Sequence, residues 1–459
     1  TGLTVASYDG GGKMKYGYYS NGASKTVRLN DELVAYMKYD EYGRQTRLMD
    51  PNAGTTLYEY DAFGQLIWQK DADENITTFE YDNLGRKVKR TETEGNTVWS
   101  YFQDGQLVND NVTSVIGLDA EFHYEYNDIY HRLTHATRIV DADPYTSVFA
   151  YDDNDKMISR TYPSGLQLDY SYTDQGNLDK VTWNGIQLFH SGSLNGQGQY
   201  VEYGLGSLPM STIEYEHGAP TKYQTDQIQN LQMAWDYGTM NFTSRWDNLK
   251  SRREEFEYDD LNRLSKSILY STEGGIQVEL SSTPYDYDGE MGHTKGNLET
   301  KTDVGFFAYA ANRITGAMNL DYQNQPMAPP VMANPYETQL ITFTSYHQAH
   351  TLHEKVNGVE YDLTYAYGPD HQRCKSVLSA GQQPQETRYY LGDYEEQVVQ
   401  NGTRQLHYVS GGDGLCAILV TENGATTMYH VFKDHLGSIL TLVSSDGQLW
   451  GIHAERAFD

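Results

Sequence analysis

The sequence predicts an all-β chain built as a ladder of hairpins. Three observations predict it: a Tyr-Asp hexapeptide recurs at fixed spacing, a second aromatic residue precedes most copies by two positions, and tyrosine and glycine are abundant at 40 and 42 copies. Tyr39-Asp40-Glu41-Tyr42-Gly43-Arg44 returns as Tyr60-Asp61-Ala62-Phe63-Gly64-Gln65 and as Tyr81-Asp82-Asn83-Leu84-Gly85-Arg86, each 21 residues after the last. A fixed period of this length marks a repeat architecture, in which each unit leaves a face for its neighbour to cover. The pattern then loosens: Tyr101 to Leu107 keeps Gly105, Tyr126 to Leu133 carries an extra residue, Tyr151 opens Tyr-Asp-Asp-Asn-Asp-Lys, and Tyr172 is followed by Gly176. Tyr258-Asp259-Asp260-Leu261-Asn262-Arg263 places asparagine where glycine stood, a residue that tolerates left-handed backbone. Remnants begin at Tyr309 and Tyr367.

The aromatic positions Tyr58, Phe79, Trp99, Tyr124, Phe149, Tyr170, Phe256, Phe307 and Tyr365 each lie two residues before a repeat position. Residues two apart share one face of a strand, whereas on a helix they point in nearly opposite directions. Strands are therefore expected here. After the tyrosine a turn closes on Gly or Asn, a return strand such as 65–70 follows, and a second turn such as Asp50-Pro51-Asn52-Ala53-Gly54 completes the repeat. The aspartate after each tyrosine is expected to accept backbone N–H bonds inside its turn. Aromatic pairs between neighbouring strands would add about 0.5 to 1.5 kcal/mol each beyond burial.

Composition narrows the function classes. Only 38% of residues are hydrophobic, so the apolar surface is largely aromatic with polar tips. A formal charge of −29 argues against unaided nucleic-acid binding and favours solubility. No run of eighteen apolar residues exists, and Thr1 to Asp9 lacks the basic start and apolar stretch of a signal peptide. The absent initiator methionine and the ending at Ala457-Phe458-Asp459 suggest a segment of a longer polypeptide. Cys374 and Cys416 fit no zinc spacing and read as packing residues. A proline-bearing stretch at Pro326, Pro329, Pro330 and Pro335, after Tyr322, reads as a surface loop.

Tyr-Asp-x-x-Gly-Arg at this period resembles the YD repeat of the RHS proteins. The stretches Tyr367-Gly368-Pro369-Asp370-His371-Gln372-Arg373, Tyr390-Leu391-Gly392-Asp393-Tyr394-Glu395 and Tyr408-Val409-Ser410-Gly411-Gly412-Asp413-Gly414-Leu415 resemble segments approaching the RHS core. Lys433-Asp434-His435-Leu436-Gly437-Ser438 resembles the core motif itself. The resemblance implies a spiralling antiparallel β-sheet of repeat hairpins forming part of a hollow shell, related to ABC toxin cocoons and teneurin barrels. It divides the chain into 1–35, a degenerate repeat or shell entry; 36–185, regular repeats; 186–235, degenerate repeats or an insertion; 236–385, further repeats; and 386–459, a core-like segment. Structural roles follow for Tyr39, Asp40, Gly43, Arg44, Tyr60, Asp61, Gly64, Tyr81, Asp82, Gly85, Arg86, Tyr258, Asp259 and Arg263 in the repeats, and for Asp434, His435 and Gly437 in the core motif.

What the family implies about function is encapsulation of a C-terminal toxin domain encoded downstream, with a secretion-system component and an immunity protein as further partners. In such proteins an autoprotease junction follows the core; here it is expected beyond residue 459, so neither Asp434 nor Arg456 receives a protease role and the chain is read as no enzyme. Secretion or display on a bacterial surface is implied. A basic payload would be held loosely if the acidic charge lined the interior. The alternative is a cell-surface adhesion or carbohydrate-binding repeat protein whose aromatics stack on sugars.

Several patterns resemble chemical sites in composition. His347, His350 and His353 have zinc-like spacing, but strand flanks would throw His347 and His350 to opposite faces. Asp152-Asp153-Asn154-Asp155 and Asp286-Tyr287-Asp288-Gly289-Glu290 lack full calcium-loop spacing. The segment 204–209 is half a phosphate-binding fingerprint without a following helix. Asp434, His435 and Ser438 suggest a hydrolase triad less than an ordered turn. No cofactor, no metal, no nucleic acid and no membrane span are expected.

Overall fold

The computed structural model of the protein describes residues 2–9, 12–29, 31–50, 53–104, 107–259, 262–287, 298, 300–301, 305–310, 313–318, 338–356, 358–400, 402–445 and 447–451. Thr1, Pro51, Asn52, Gly105, Asp260, Leu261, residues 288–290, Tyr322, Pro326, Pro329, Pro330, Pro335, Asn357, Arg456 and 457–459 lie outside them, as do the side chains of Leu107, Phe307 and Tyr309.

Antiparallel strands account for nearly all regular structure among the described residues, with one short 3-10 turn at Glu273–Gly275. No helix among them is long and apolar enough to cross a membrane. Consecutive strands pair as a meander: Gly54–Tyr60 with Leu66–Lys70, that strand with Ile76–Tyr81, and that in turn with Lys87–Thr91. The turns consequently fall on two edges. Those following the repeat tyrosine form one edge, the Tyr-Asp edge, and those following the return strands form the other, the return edge.

The repeat tyrosines Tyr39, Tyr60, Tyr81, Tyr151 and Tyr172 each sit beside a β-bulge. Tyr60 pairs with Leu66 while Glu59 pairs with Trp68, which leaves Ile67 extra; the same slip occurs at Tyr39, Tyr81, Tyr151 and Tyr172. Opposed residues share a face, so an unbulged meander would return the tyrosine after an even count. One extra residue per repeat makes the period 21 and keeps Tyr39, Tyr60 and Tyr81 on the same face.

The chain divides into two compact units of discontinuous stretches. Unit 1 comprises 1–121, 257–266 and 283–384; unit 2 comprises 122–256, 267–282 and 385–459. Residues 186–235 supply strands of unit 2, among them Ile186–Ser191, Ser211–Glu216 and Ala219–Thr225. The interiors differ. Unit 2 buries Leu168, Val181, Leu188, Phe189, Leu231, Tyr394, Leu419, Phe432 and Val443, whereas in unit 1 the buried apolar residues among those described are Val115, Ala120, Tyr367, Pro369 and Cys374. At about 1.5 to 3 kcal/mol per fully buried large apolar side chain, unit 2 carries the stronger hydrophobic core. Both cysteines are buried and neither is in a disulfide; Cys416 donates to the Val409 carbonyl at 3.2 Å, and burial pushes its thiol up to about 12.

Candidate functional site

The turn of the repeat is built around one carboxylate. In the Asp61 turn, Oδ1 accepts N–H bonds from Phe63 and Gln65, both at 2.9 Å, while Gly64 N–H donates to the Asp61 carbonyl at 3.2 Å. Asp40, Asp82, Asp128 and Asp152 repeat the arrangement. Asp259 accepts from Arg263 N–H at 2.9 Å. Desolvation opposes the charge at Asp40 and Asp82, yet the donated N–H groups and the adjacent arginine hold both carboxyls below the usual range. The fourth turn residue is left-handed: Gly43 has φ 82°, Gly85 φ 81° and Asn262 φ 59°.

Arginine and tyrosine then tie one repeat to the next. Arg44 Nε donates to Asp40 Oδ2 at 2.7 Å, its Nη1 reaches the Asp61 carbonyl of the following turn at 2.7 Å, and its guanidinium lies 5.1 Å from the Tyr60 ring. Arg86 pairs with Asp82 and covers Tyr101; Arg263 pairs with Asp259 and covers Tyr287. In the other direction, Tyr60 OH donates to the Gln45 carbonyl and Tyr81 OH to the Leu66 carbonyl, both at 2.9 Å. Tyr39 packs edge-on against Tyr19 at 5.9 Å. Tyr258 ends the strand Arg252–Tyr258, half-buried. The ring faces at Tyr60, Tyr101 and Tyr287 therefore meet cations, where sequence reasoning expected aromatic pairs; a guanidinium over a ring contributes about 0.5 to 1 kcal/mol at exposed sites.

Within each unit a later arm of the meander docks its Tyr-Asp edge onto the return edge of an earlier arm. In unit 1, Glu94 accepts from Ser345 N–H at 2.6 Å and from its hydroxyl, Arg90 donates to the Pro369 carbonyl at 2.9 Å, and His371 meets Glu92 at 2.9 Å. His347 lies in the 344–348 turn at φ 64° and pairs with Asp71 at 3.0 Å. The run read as continuous strand is broken by that turn, so His347 leaves the strand entirely and the three histidines do not converge: His353 pairs with Asp362 at 2.8 Å. Asp71, Asp73 and His347 do hold ligand-type atoms within 4.8 Å of one another. Asp71 is already engaged, accepting from Asp73 N–H, Asn75 N–H and Asn75 Nδ2, and its contact with His347 joins two turns.

In unit 2 the joint is more buried. Arg160 holds Asp393 through two N–H groups, Tyr162 OH donates to the Tyr408 carbonyl at 3.0 Å, and Gln229 donates to the Lys433 carbonyl at 2.8 Å. The core-motif Asp434, 2% exposed, accepts from Leu436 N–H and Ser438 N–H on Oδ1 and from Arg245 Nη1 at 2.7 Å on Oδ2. Arg245 Nε in turn bonds Glu254 at 2.6 Å. Gly437 takes the left-handed position at φ 87°. His435 packs 4.2 Å from Phe242 and 5.3 Å from Trp235; burial lowers its pKa. Among the described residues His435 and Ser438 share no hydrogen bond, so Asp434, His435 and Ser438 form a turn rather than a relay.

Sequence reasoning missed three groups here. His407, fully buried, faces Ser164 Oγ through Nε2 at 2.7 Å and the Leu419 carbonyl through Nδ1 at 3.0 Å, and burial lowers its pKa. The carbonyl requires the proton on Nδ1, so Ser164 donates to a neutral imidazole. His430, 3% exposed, has no hydrogen-bond partner for Nδ1 among the described residues, and burial lowers its pKa to about 4. Asp413, beside Lys433 Nζ at 3.5 Å, is raised by burial. The surroundings that bury them come from other strands, and no local spacing signals them.

Fold and turn chemistry together define a repeat-built β-sheet scaffold whose charged residues serve turns and joints. Residues 39–67 match the RHS Repeat family, and in its repeats the chain is similar to RHS/YD-repeat proteins. Its fold is that of the TcdB2–TccC3 crystal structure, with a TM-score of 0.73 at 14% identity, covering 95% of this chain and 26% of that one. The same protein solved without its hypervariable C-terminal region matches with a TM-score of 0.72 at 14% identity, again over 95% of this chain and 26% of that one. The Photorhabdus luminescens Tc holotoxin pore matches equally, with a TM-score of 0.72 at 14% identity over 95% of this chain and 25% of that one. The chain thus spans about a quarter of the solved chains it matches. No curated protein sequence matches it.

Proposed function

We propose that this chain is a stretch of RHS shell wall that encloses a toxin domain carried on the same polypeptide, in a protein secreted by or displayed on a bacterium. The observation that carries this reading is the fold match over 95% of the chain to a protein with a hypervariable C-terminal region. The work of such a wall is mechanical: it excludes the surroundings from a payload, and no residue of this stretch performs catalysis. Its partners would be that payload, with an immunity protein and a secretion component as further ones. The adhesion reading is less well supported, because the ring faces at Tyr60, Tyr101, Tyr151 and Tyr172 are met by Arg44, Arg86, Arg132 and Lys156 and so are not left open to sugars.

The test is limited proteolysis of the full-length polypeptide. Cleavage sites in the C-terminal domain should stay protected until the wall is opened by denaturant. Cleavage of that domain at the rate of the isolated domain, with the wall intact, defeats encapsulation.

A further inference from the structure

Asp413 of unit 2 differs from the turn aspartates, whose carboxylates accept backbone N–H bonds. Its Oδ2 is buried and has no hydrogen-bond partner among the described residues, and its one ion pair among them is with Lys433 Nζ, at 3.5 Å. Asp413 lies at the tip of the hairpin that joins Gly402–Gly411 to Gly414–Glu422, and the next strand, Ala425–Lys433, pairs with the second of these and ends on Lys433. The ground around the pair is apolar. Gly411 and Gly412 bring the tip directly onto the rings of Phe189 and Tyr200, with which a Cβ at either position would collide. A small cavity lined by Phe189, Tyr203, Leu205, Cys416 and Val431 adjoins both charged groups. Gly414 leaves the way between them open, since a Cβ there would stand 2.8 Å from Lys433 Nζ.

We propose that Lys433 and Asp413 condense into an intramolecular isopeptide bond, Nζ to Cγ, which fastens the hairpin tip to the end of the neighbouring strand. In apolar surroundings an ammonium and a carboxylate are costly, and passing one proton between them gives an uncharged amine and a carboxylic acid. Burial already raises the Asp413 carboxyl in that direction. The amine lone pair attacks Cγ and forms the C–N bond. The C–O bond to the protonated oxygen then breaks, and that hydroxyl takes one amine proton and leaves as water. An ammonium and a carboxylate thus become an amide and one water, with no oxidant, reductant or further reactant. Groups held in place at this range act at effective concentrations on the order of 10⁵ M or more, which suits a condensation that is slow between free molecules. Each chain reacts once, so the bond is a crosslink of the scaffold and not a turnover reaction.

Peptide mass spectrometry of the folded full chain tests this. Trypsin does not cut after an acylated lysine, and no Lys or Arg lies between Arg404 and Lys433 or between Lys433 and Arg456. Wild type should therefore yield one tryptic peptide from Gln405 to Arg456, lighter than its sequence by one water. Further cleavage after Glu422, which lies between the two residues, should leave the flanking segments joined. Lys433→Arg keeps the positive charge without the amine, and its segments should separate at full mass. The joined segments of wild type decide the matter even where that variant does not fold. Asp413 precedes Gly414, a sequence that also loses water by closing on its own backbone; that product persists in Lys433→Arg and separates after cleavage at Glu422. Separate segments from wild type, at full mass or lighter by one water, overturn the proposal, as do joined segments from Lys433→Arg.

Discussion

Tyr60 makes contacts in two directions: its ring lies under Arg44 of the preceding turn, and its hydroxyl donates to the Gln45 carbonyl. Phenylalanine would keep the ring contact and lose only the donor. Tyr60→Phe should therefore destabilise by about 1 kcal/mol, the net value of one hydrogen bond, in urea unfolding. An unchanged midpoint would mean the hydroxyl contributes nothing to holding adjacent repeats. His430 sets a different kind of dependence. Its folded pKa of about 4 lies below the ordinary 6.5, so between those values the unfolded chain takes up a proton that the folded one refuses. Stability is lost as pH falls through that window, by about 3 kcal/mol in full. The stability difference between wild type and His430→Leu should shift in favour of the variant by about that amount from pH 7 to pH 4. Parallel pH profiles for the two proteins would show that His430 does not titrate out of a buried, unpartnered site.

At the scale of the element, the turn is an aspartate-centred unit, and its two functions can be separated. Asp61→Ala removes the acceptor of two N–H groups and should cost about 1 to 3 kcal/mol, whereas Asp61→Asn keeps a carbonyl oxygen in place and should cost clearly less. Equal losses in thermal melts would point to the charge rather than the acceptor geometry. The joints are the second kind of element. Arg245→Met leaves the Asp434 carboxylate buried without its counter-charge and should cost about 3 to 5 kcal/mol, with hydrogen exchange accelerated in the strands Ala425–Lys433 and Ile439–Ser444. Wild-type protection in those strands would remove Arg245 from the joint. The alternation of strand and turn is readable from sequence because Tyr58 and Tyr60, or Phe79 and Tyr81, encode a two-residue period locally. The bulge at Ile67 is not, since register is a property of two paired strands. Nor are the joints: Arg160 and Asp393 are 233 residues apart, and neither stands in a motif that names the other.

For the whole molecule, the dominant electrostatic fact is an excess of 63 acidic over 34 basic residues. Many of the basic ones are consumed by local pairing, as Arg44 is by Asp40, Arg132 by Asp128 and Arg263 by Asp259. The surplus charge is therefore carboxylate, and it repels itself more in the compact state than in an expanded chain. Added salt acts in two opposing ways: it screens that repulsion, and it weakens exposed ion pairs. Exposed pairs are worth about 0 to 1 kcal/mol each, and the buried Arg245–Asp434 pair is poorly reached by salt. Repulsion outweighs what the pairs lose, so raising sodium chloride from about 10 mM to about 300 mM, which shortens the screening length from about 30 Å to well under 10 Å, should raise the melting temperature steadily. The chain that uses aspartate to build its turns would then be least stable where its acidic surplus is least screened. A melting temperature that falls with salt would instead assign the stability to exposed ion pairs, and the Asp-Arg pairs of the repeats would have to contribute far more than surface pairs ordinarily do.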